Sequence, residues 1–258
     1  MWRILRTSVL LLILIWAAGH TWLDRIGSTR WQQTLWVGVF PINAEGTASV
    51  QHYLDTLSGQ DFSDVESFLR REAHRYGRTL DRPVHIALYP QVRQLPPELN
   101  RSAGMLATIA WSLRVRWYAF RAASLGGQAP PRIRLFVLYH DPAALRTAPD
   151  SHGLQKGLIG IVHAFATPAM AGMNAIVLAH ELLHTLGASD KYDLRSGFPL
   201  YPDGFAEPDR IPPYPQLQAE IMAAVRPLSA TQFQMPASLD DVVVGPRTAA
   251  EIRWIQSR

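Results

Sequence analysis

Residues 177–190 read VLAHELLHTLGASD, and the apolar positions around the polar ones predict a helix buried in a domain core. His180 and His184 are four residues apart and therefore lie on one face of that helix, so both imidazoles can reach one point. Gly187 can take the left-handed conformation that ends a helix and turns the chain back. Asp190 can then return to the same point, which predicts three ligands around one divalent metal ion.

Three protein ligands with one open position are typical of catalytic zinc. Glu181 is rotated to the flank of the histidine face, where its carboxylate can hold a water molecule but is badly placed to bind the metal. We therefore predict Zn²⁺ bound by His180, His184 and Asp190, and hydrolysis as the reaction. Glu181 is the expected general base, which takes a proton from the attacking water and delivers it to a leaving amine.

The pattern HELLHTLGASD resembles the active-site helix of the metzincin metallopeptidases, in the variant with aspartate as third ligand. The resemblance covers about residues 158–225 and implies a tight turn containing a methionine beneath the metal. Residues 220–223, Glu-Ile-Met-Ala, are the best match, with Met222 as the Met-turn residue. It also implies that residues 158–165 are an edge strand that binds an extended peptide substrate, with His163 beside the cleft.

In two respects the chain departs from the commoner metzincin pattern. The third ligand is aspartate rather than histidine, and no tyrosine closely follows Met222 to steady an oxyanion. Tyr192, Tyr201 and Tyr214 are the candidates to replace it.

Other acidic residues compete with Asp190 as the third ligand. Asp193 is close in sequence, or could instead orient a histidine through a hydrogen bond. Glu207 and Glu220 compete because gluzincin-type peptidases take a glutamate from a later helix. We favour Asp190, since the turn at Gly187 explains how it returns to the histidines. The HExxH string can also arise by chance in an ordinary helix, but the glycine and aspartate at matching offsets are separate requirements of a metal site.

The composition describes a globular chain with one additional apolar segment. Of 258 residues, 48% are hydrophobic and 18% are charged, the net charge is +4, and cysteine is absent. Disulfides, thiol catalysis and cysteine-bound zinc are therefore excluded. The small net charge and the lack of a nucleic-acid-binding motif argue against a nucleic-acid partner.

The first residues have the pattern of a targeting or anchoring segment. Arg3 and Arg6 precede an apolar run over residues 8–19, with Trp2 and Trp22 near its two ends. We predict that residues 1–25 form a membrane anchor or a signal segment, and favour the uncleaved anchor. Residues 26–258 are predicted to form one metallopeptidase-like domain outside the cytoplasm, on the periplasmic side if the cell is bacterial, or secreted if the segment is cleaved.

Strand and helix patterns alternate along the first two thirds of the chain. They predict an α+β or α/β fold with a mixed sheet of about four strands, an active-site helix and a C-terminal helix. Ser63 and Glu66 form a capping-box pattern for one helix, and Thr248 is the expected cap of the last. The proline- and glycine-rich residues 197–215 are predicted to be an irregular cleft wall or lid.

One predicted helix combines apolar and basic residues. Leu106, Ile109, Leu113, Trp117 and Phe120 share one face, and three arginines lie on other sides. We expect this face to pack on the sheet, with contact to lipid headgroups as the alternative.

The prediction from sequence is a zinc-dependent endopeptidase that cleaves peptide or protein substrates and is held at a membrane by its N-terminal segment. Two alternatives remain. One is a zinc hydrolase acting on amide bonds of the cell envelope, and the other is a membrane-anchored binding protein with a structural or inert metal site. Neither the substrate nor the oligomeric state follows from the pattern.

Overall fold

The computed structural model describes residues 29–98, 104–124, 129–145, 147, 149, 151–154 and 158–255. The predicted anchor or signal segment, residues 1–25, lies outside this part. Within the part described, none of the helices combines the length and the hydropathy that crossing a membrane requires.

A five-stranded sheet forms the centre of the fold. Its strands are β1 (Leu35–Asn43), β2 (Val84–Leu88), β3 (Ile133–His140), β4 (His152–Leu154) and β5 (Ile159–Phe165). The spatial order is β2-β1-β3-β5-β4, in which only β4 runs antiparallel to its neighbour. The predicted mixed sheet is confirmed, and β4 is the strand that sequence analysis missed because three residues are too few to show an alternating pattern.

Helices cover both faces of the sheet. They are α1 (Ala48–Thr56), α2 (Ser63–Arg75), α3 (Met105–Ser124), α4 (Ala171–Leu186) and α5 (Pro246–Glu251). Helices α1, α2 and α4 contribute to the core on one face, whereas α3 packs against the other. Strand β1 shows the consequence, because Val37 and Val39 face one core while Phe40 and Ile42 face the other. A strand buried on both faces has a nearly continuous apolar sequence, as β1 does.

The predicted substrate-binding edge is wrong. Residues 159–161 of β5 pair with β4, so the sheet ends at β4 on this side rather than at β5. The hydroxyl of Ser151 also accepts a hydrogen bond from the backbone N–H of His163 at 2.9 Å. The last strand on this side of the sheet is therefore a segment that has no strand signature in the sequence.

The predicted capping box of α2 is also wrong. Ser58 and Asp61 form the box instead, at the start of a 3₁₀ turn that leads directly into α2. Ser63 is already the first helical residue. The Glu66 carboxylate faces β2, where it accepts a hydrogen bond from the backbone N–H of Ile86 at 2.6 Å. Glu66 therefore ties α2 to the sheet rather than capping its own helix.

The predicted packing face of α3 is exposed at the four described side chains; the side chain of Leu106 lies outside the described part. Ile109, Leu113, Trp117 and Phe120 are 50 to 63% exposed, so the expectation that they pack on the sheet is wrong. The helix buries instead Trp111, Val115, Tyr118, Ala119, Ala122 and Ala123.

The chain after α4 is mostly irregular. Its short strands are β6 (Ala219–Glu220), β7 (Arg226–Pro227), β8 (Phe233–Gln234) and β9 (Val242–Val243), paired as β6 with β9 and β7 with β8. Residues 197–215 contain neither helix nor strand, as predicted.

Candidate metal centre

Helix α4 is fixed to the sheet at its start and buried along most of its length. The side-chain amide of Asn174 donates to the carbonyl of Phe165 at 2.8 Å and accepts from the N–H of the same residue at 2.9 Å. The Asn174 side chain therefore links the end of β5 to the first turn of α4. This attachment holds the start of the helix whose second half carries the HExxH residues.

His180 and His184 point their Nε2 atoms toward the same place. Nδ1 of His180 lies 2.9 Å from the carbonyl oxygen of Ile221, and Nδ1 of His184 lies 2.8 Å from that of Ala188. Because a carbonyl oxygen can only accept, each Nδ1 carries a proton, which leaves Nε2 of each ring as the nitrogen that can bind a metal ion. Hydrogen bonds of this kind fix both the tautomer and the orientation of metal-binding histidines.

The turn after α4 returns Asp190 to these nitrogens. Gly187 has φ 108° and ψ 8°, the left-handed conformation predicted from sequence, and Ala188 N–H donates to the carbonyl of Leu183 at 3.0 Å. Oδ1 of Asp190 then lies 3.3 Å from Nε2 of His180 and 3.0 Å from Nε2 of His184. In a tetrahedral site with metal bonds of about 2.0–2.1 Å, ligand atoms are roughly 3.3 Å apart.

The electrostatics of the cluster favour a cation. Oδ1 of Asp190 is buried, receives no well-aligned hydrogen bond and lies beside two ring nitrogens that can each provide an electron pair. Burial raises the pKa of Asp190, but the adjacent imidazoles outweigh it and hold the pKa well below its usual range. Burial lowers the pKa of His184, but Asp190 and Glu181 outweigh it, so this pKa is raised. These donors fit a divalent metal ion, which would supply the missing positive charge.

Glu181 belongs to the same cluster. One carboxylate oxygen of Glu181 and one ring nitrogen each of His180 and His184 lie within 4.8 Å of one another. The Glu181 side chain is almost fully buried on the helix that carries both histidines. The cluster can therefore bind a metal ion and hold an additional carboxylate next to it.

The competing carboxylates are engaged elsewhere. Asp193 caps the following turn by accepting from the backbone N–H groups of Arg195 and Ser196 at 3.1 and 2.8 Å. The carboxylate of Glu207 accepts from the N–H of Leu217 at 3.1 Å. Among the described residues, neither carboxylate forms an ion pair with the two histidines, in contrast to Asp190.

Glu220 organises the turn below the metal cluster instead of joining it. Its fully buried carboxylate accepts from the N–H groups of Met222 and Gly245 at 2.6 and 3.0 Å and from the hydroxyl of Thr248 at 2.7 Å. Burial raises the pKa of Glu220. Thr248 therefore does not cap the last helix as predicted; Gly245 is the N-cap residue and the Thr248 hydroxyl serves Glu220.

Met222 lies in a tight turn next to the cluster. Its side chain is fully buried, its carbonyl accepts from the N–H of Lys191 at 2.9 Å, and the preceding residue, Ile221, binds the ring of His180. The turn at Met222 therefore makes hydrogen bonds with His180 and with Lys191, the residue that follows Asp190.

Sequence analysis missed a buried ion pair that holds the residues on either side of Asp190. Lys191 Nζ lies 2.8 Å from Oε2 of Glu251 in α5, and the same carboxylate accepts from the N–H and the hydroxyl of Ser189, both at 2.9 Å. The Lys191 side chain is only 5% exposed. No local pattern marks these residues, since 60 positions separate Lys191 from its partner.

The remaining predicted residues lie in other environments. The hydroxyl of Tyr201 is 3.4 Å from the carbonyl of Pro208, and Tyr201 and Tyr214 line a surface cavity of about 570 Å³ within the proline-rich segment. Tyr192 forms an isolated bridge with Pro199. His163 Nδ1 lies 2.7 Å from Nε2 of His140, so this histidine belongs to a polar pair between β3 and β5.

Comparison with known proteins adds no family to this description. A scan against protein-family models gives no match, and a search of curated proteins gives none either. The described residues show a histidine-glutamate-histidine group close enough for a metal site, with Asp190 beside it.

Proposed function

We propose that this chain is a zinc-dependent metallopeptidase of metzincin type that acts outside the cytoplasm. The proposal rests on the position of one Asp190 oxygen, which lies 3.3 Å from Nε2 of His180 and 3.0 Å from Nε2 of His184 after the left-handed turn at Gly187. Two imidazoles and one carboxylate are a ligand set of catalytic zinc, and the two distances from the Asp190 oxygen to the ring nitrogens are close to those of a tetrahedral site. The buried methionine turn beside His180 supports the metzincin type.

His180, His184 and Asp190 would hold the metal. Zinc, when bound, supplies a Lewis acid that polarises the substrate carbonyl and lowers the pKa of water. Carbonyl groups on Nδ1 keep both imidazoles in the tautomer that binds a metal through Nε2. Because Asp190 contributes a negative charge, the site acidifies water less than three histidines would, which increases the need for a strong base nearby.

Glu181 is the proposed general base and general acid. One of its carboxylate oxygens would accept the proton of the attacking water and then deliver it to the nitrogen of the scissile amide, while the C–N bond breaks. Its position on α4 next to both histidines places that oxygen within the cluster. The extended peptide would add along β4, the edge strand on this side of the sheet.

The decisive experiment compares the parent protein with Glu181→Gln and a matched control, Glu207→Gln. Glu207 is a half-exposed glutamate outside the metal cluster. We expect all three proteins to bind one zinc ion per chain. Cleavage of a proteome-derived peptide library should fall by about 10²-fold or more in Glu181→Gln and remain at the parent level in the control.

Each other outcome favours a different function. Zinc binding with identical behaviour of parent and Glu181→Gln in every cleavage assay would favour the binding protein with an inert metal site. Cleavage limited to cell-envelope amides would favour the envelope hydrolase. Absence of bound zinc from the parent protein would refute the proposal.

A further inference from the structure

Helix α3 exposes a row of large apolar side chains, which we call the α3 stripe: Ile109, Leu113, Trp117 and Phe120. These residues are spaced by four, four and three positions, so they share one face, opposite the face that packs on the sheet. Each is 50 to 63% exposed, and the rings of Trp117 and Phe120 stack at 5.9 Å. Contiguous apolar surface of this kind marks an interaction site on a soluble domain.

The residues that flank the α3 stripe are basic. Arg114, Arg116 and Arg121 are exposed on the same helix, and residues 105–124 include no aspartate or glutamate. Arg114 and Arg121 also line a surface cavity of about 520 Å³ together with Arg93 and Trp117. One guanidinium group can donate two parallel hydrogen bonds to the oxygens of a phosphate group. Three arginines around one cavity are therefore suited to bind an anionic phosphate group.

We propose that α3 is a membrane-contact helix that lies in the interface of a bilayer containing anionic phospholipids. The α3 stripe would enter the boundary between headgroups and acyl chains, and the cavity of Arg93, Arg114 and Arg121 would bind lipid phosphates. An apolar face with tryptophan and phenylalanine beside a purely basic flank is the composition of an interfacial helix. The basic and apolar start of the chain, over residues 3–19, is expected to bring the domain to the same surface.

The absence of cysteine allows a direct test on the full-length chain. Leu113→Cys is labelled with an environment-sensitive fluorophore, and the protein is placed in nanodiscs that carry nitroxide-labelled acyl chains. The matched control is Leu194→Cys, at a position that is 81% exposed in the segment after Asp190. We expect strong quenching at position 113 when the discs contain phosphatidylglycerol, and little quenching at position 194.

A second variant tests the contribution of the arginines. Arg114→Gln combined with Arg121→Gln should reduce quenching at position 113 several-fold in phosphatidylglycerol discs and leave the circular dichroism spectrum unchanged, because both side chains are exposed. No quenching at position 113 in discs of either anionic or neutral lipid would overturn the proposal. Shielding of the label in the absence of lipid that depends on protein concentration or on residues 1–28 would overturn it as well. Quenching that is equal in neutral and anionic discs would contradict the anionic-lipid requirement.

Discussion

The ammonium group of Lys191 lies 2.8 Å from the carboxylate of Glu251, although the two residues belong to opposite ends of the C-terminal third of the chain. Glu251 also binds Ser189, so the C-terminal helix holds both neighbours of Asp190. Burial raises the pKa of Glu251, but hydrogen bonds from Lys191 and Ser189 outweigh it, so this pKa is lowered. The position of the Asp190 carboxylate therefore depends on a helix that the metal-binding motif does not include.

Glu251→Gln should weaken both the fold and the metal centre. The substitution leaves the Lys191 ammonium buried without a counter-charge, so we expect a loss of about 3 kcal/mol in the free energy of unfolding. Zinc affinity should fall as well, because Glu251 holds Ser189 and Lys191, the residues on either side of the Asp190 ligand. Urea denaturation and competitive zinc titration measure the two effects. Arg247→Gln is the control, because Arg247 also pairs with Glu251 but is 60% exposed, and its loss should cost under about 1 kcal/mol.

Asp190→Ala should reduce zinc affinity by more than about 100-fold, since loss of a direct ligand exceeds the effect of losing its partner. Competition with a zinc-binding dye measures the change. Asp193→Ala is the matched control three positions later, because its carboxylate is engaged only with the backbone and hydroxyl of its own turn. Equal affinity in both variants would show that Asp190 is not a ligand.

Gly187→Ala should destabilise the turn that returns Asp190 to the histidines. A residue with a Cβ at φ 108° is strained, so we expect a loss of about 1–2 kcal/mol in the free energy of unfolding together with weaker zinc binding. Thermal unfolding and zinc titration provide the measurements. Gly59→Ala is the control, because Gly59 does not have a positive φ angle and an added Cβ would meet open space.

Glu66→Gln should reduce the sensitivity of the fold to acid. Burial raises the pKa of Glu66, but hydrogen bonds from Ile86 and Arg82 outweigh it, so its folded-state pKa lies below the ordinary 4.5. A depressed pKa contributes stability above pH 4.5, and that contribution disappears as the pH falls through the folded-state pKa. We expect Glu66→Gln to be less stable than the parent at pH 7 and to lose less stability between pH 5 and about 3. Parallel acid-unfolding curves for the two proteins would contradict this assignment.

Much of the fold was predictable because its signals are local. The apolar runs that became β1, β3 and β5 are buried on two faces, and burial on two faces requires continuous apolar sequence. The alternation of strands with helices predicted the mixed sheet in the same way. Strand β4 was missed because its three residues are placed by pairing with β5, which the sequence of a short segment does not encode.

Sequence alone determined the helix of HExxH, the four-residue spacing that puts two imidazoles on one face, and the glycine that ends the helix with positive φ, because each depends on the geometry of consecutive residues. Only the tertiary structure decided which carboxylate reaches the imidazoles, where Glu220 and Glu251 are used, and which face of α3 is exposed. These outcomes depend on contacts between residues distant in the chain. Helical spacing defines a face, but only packing decides whether that face meets the sheet or the solvent.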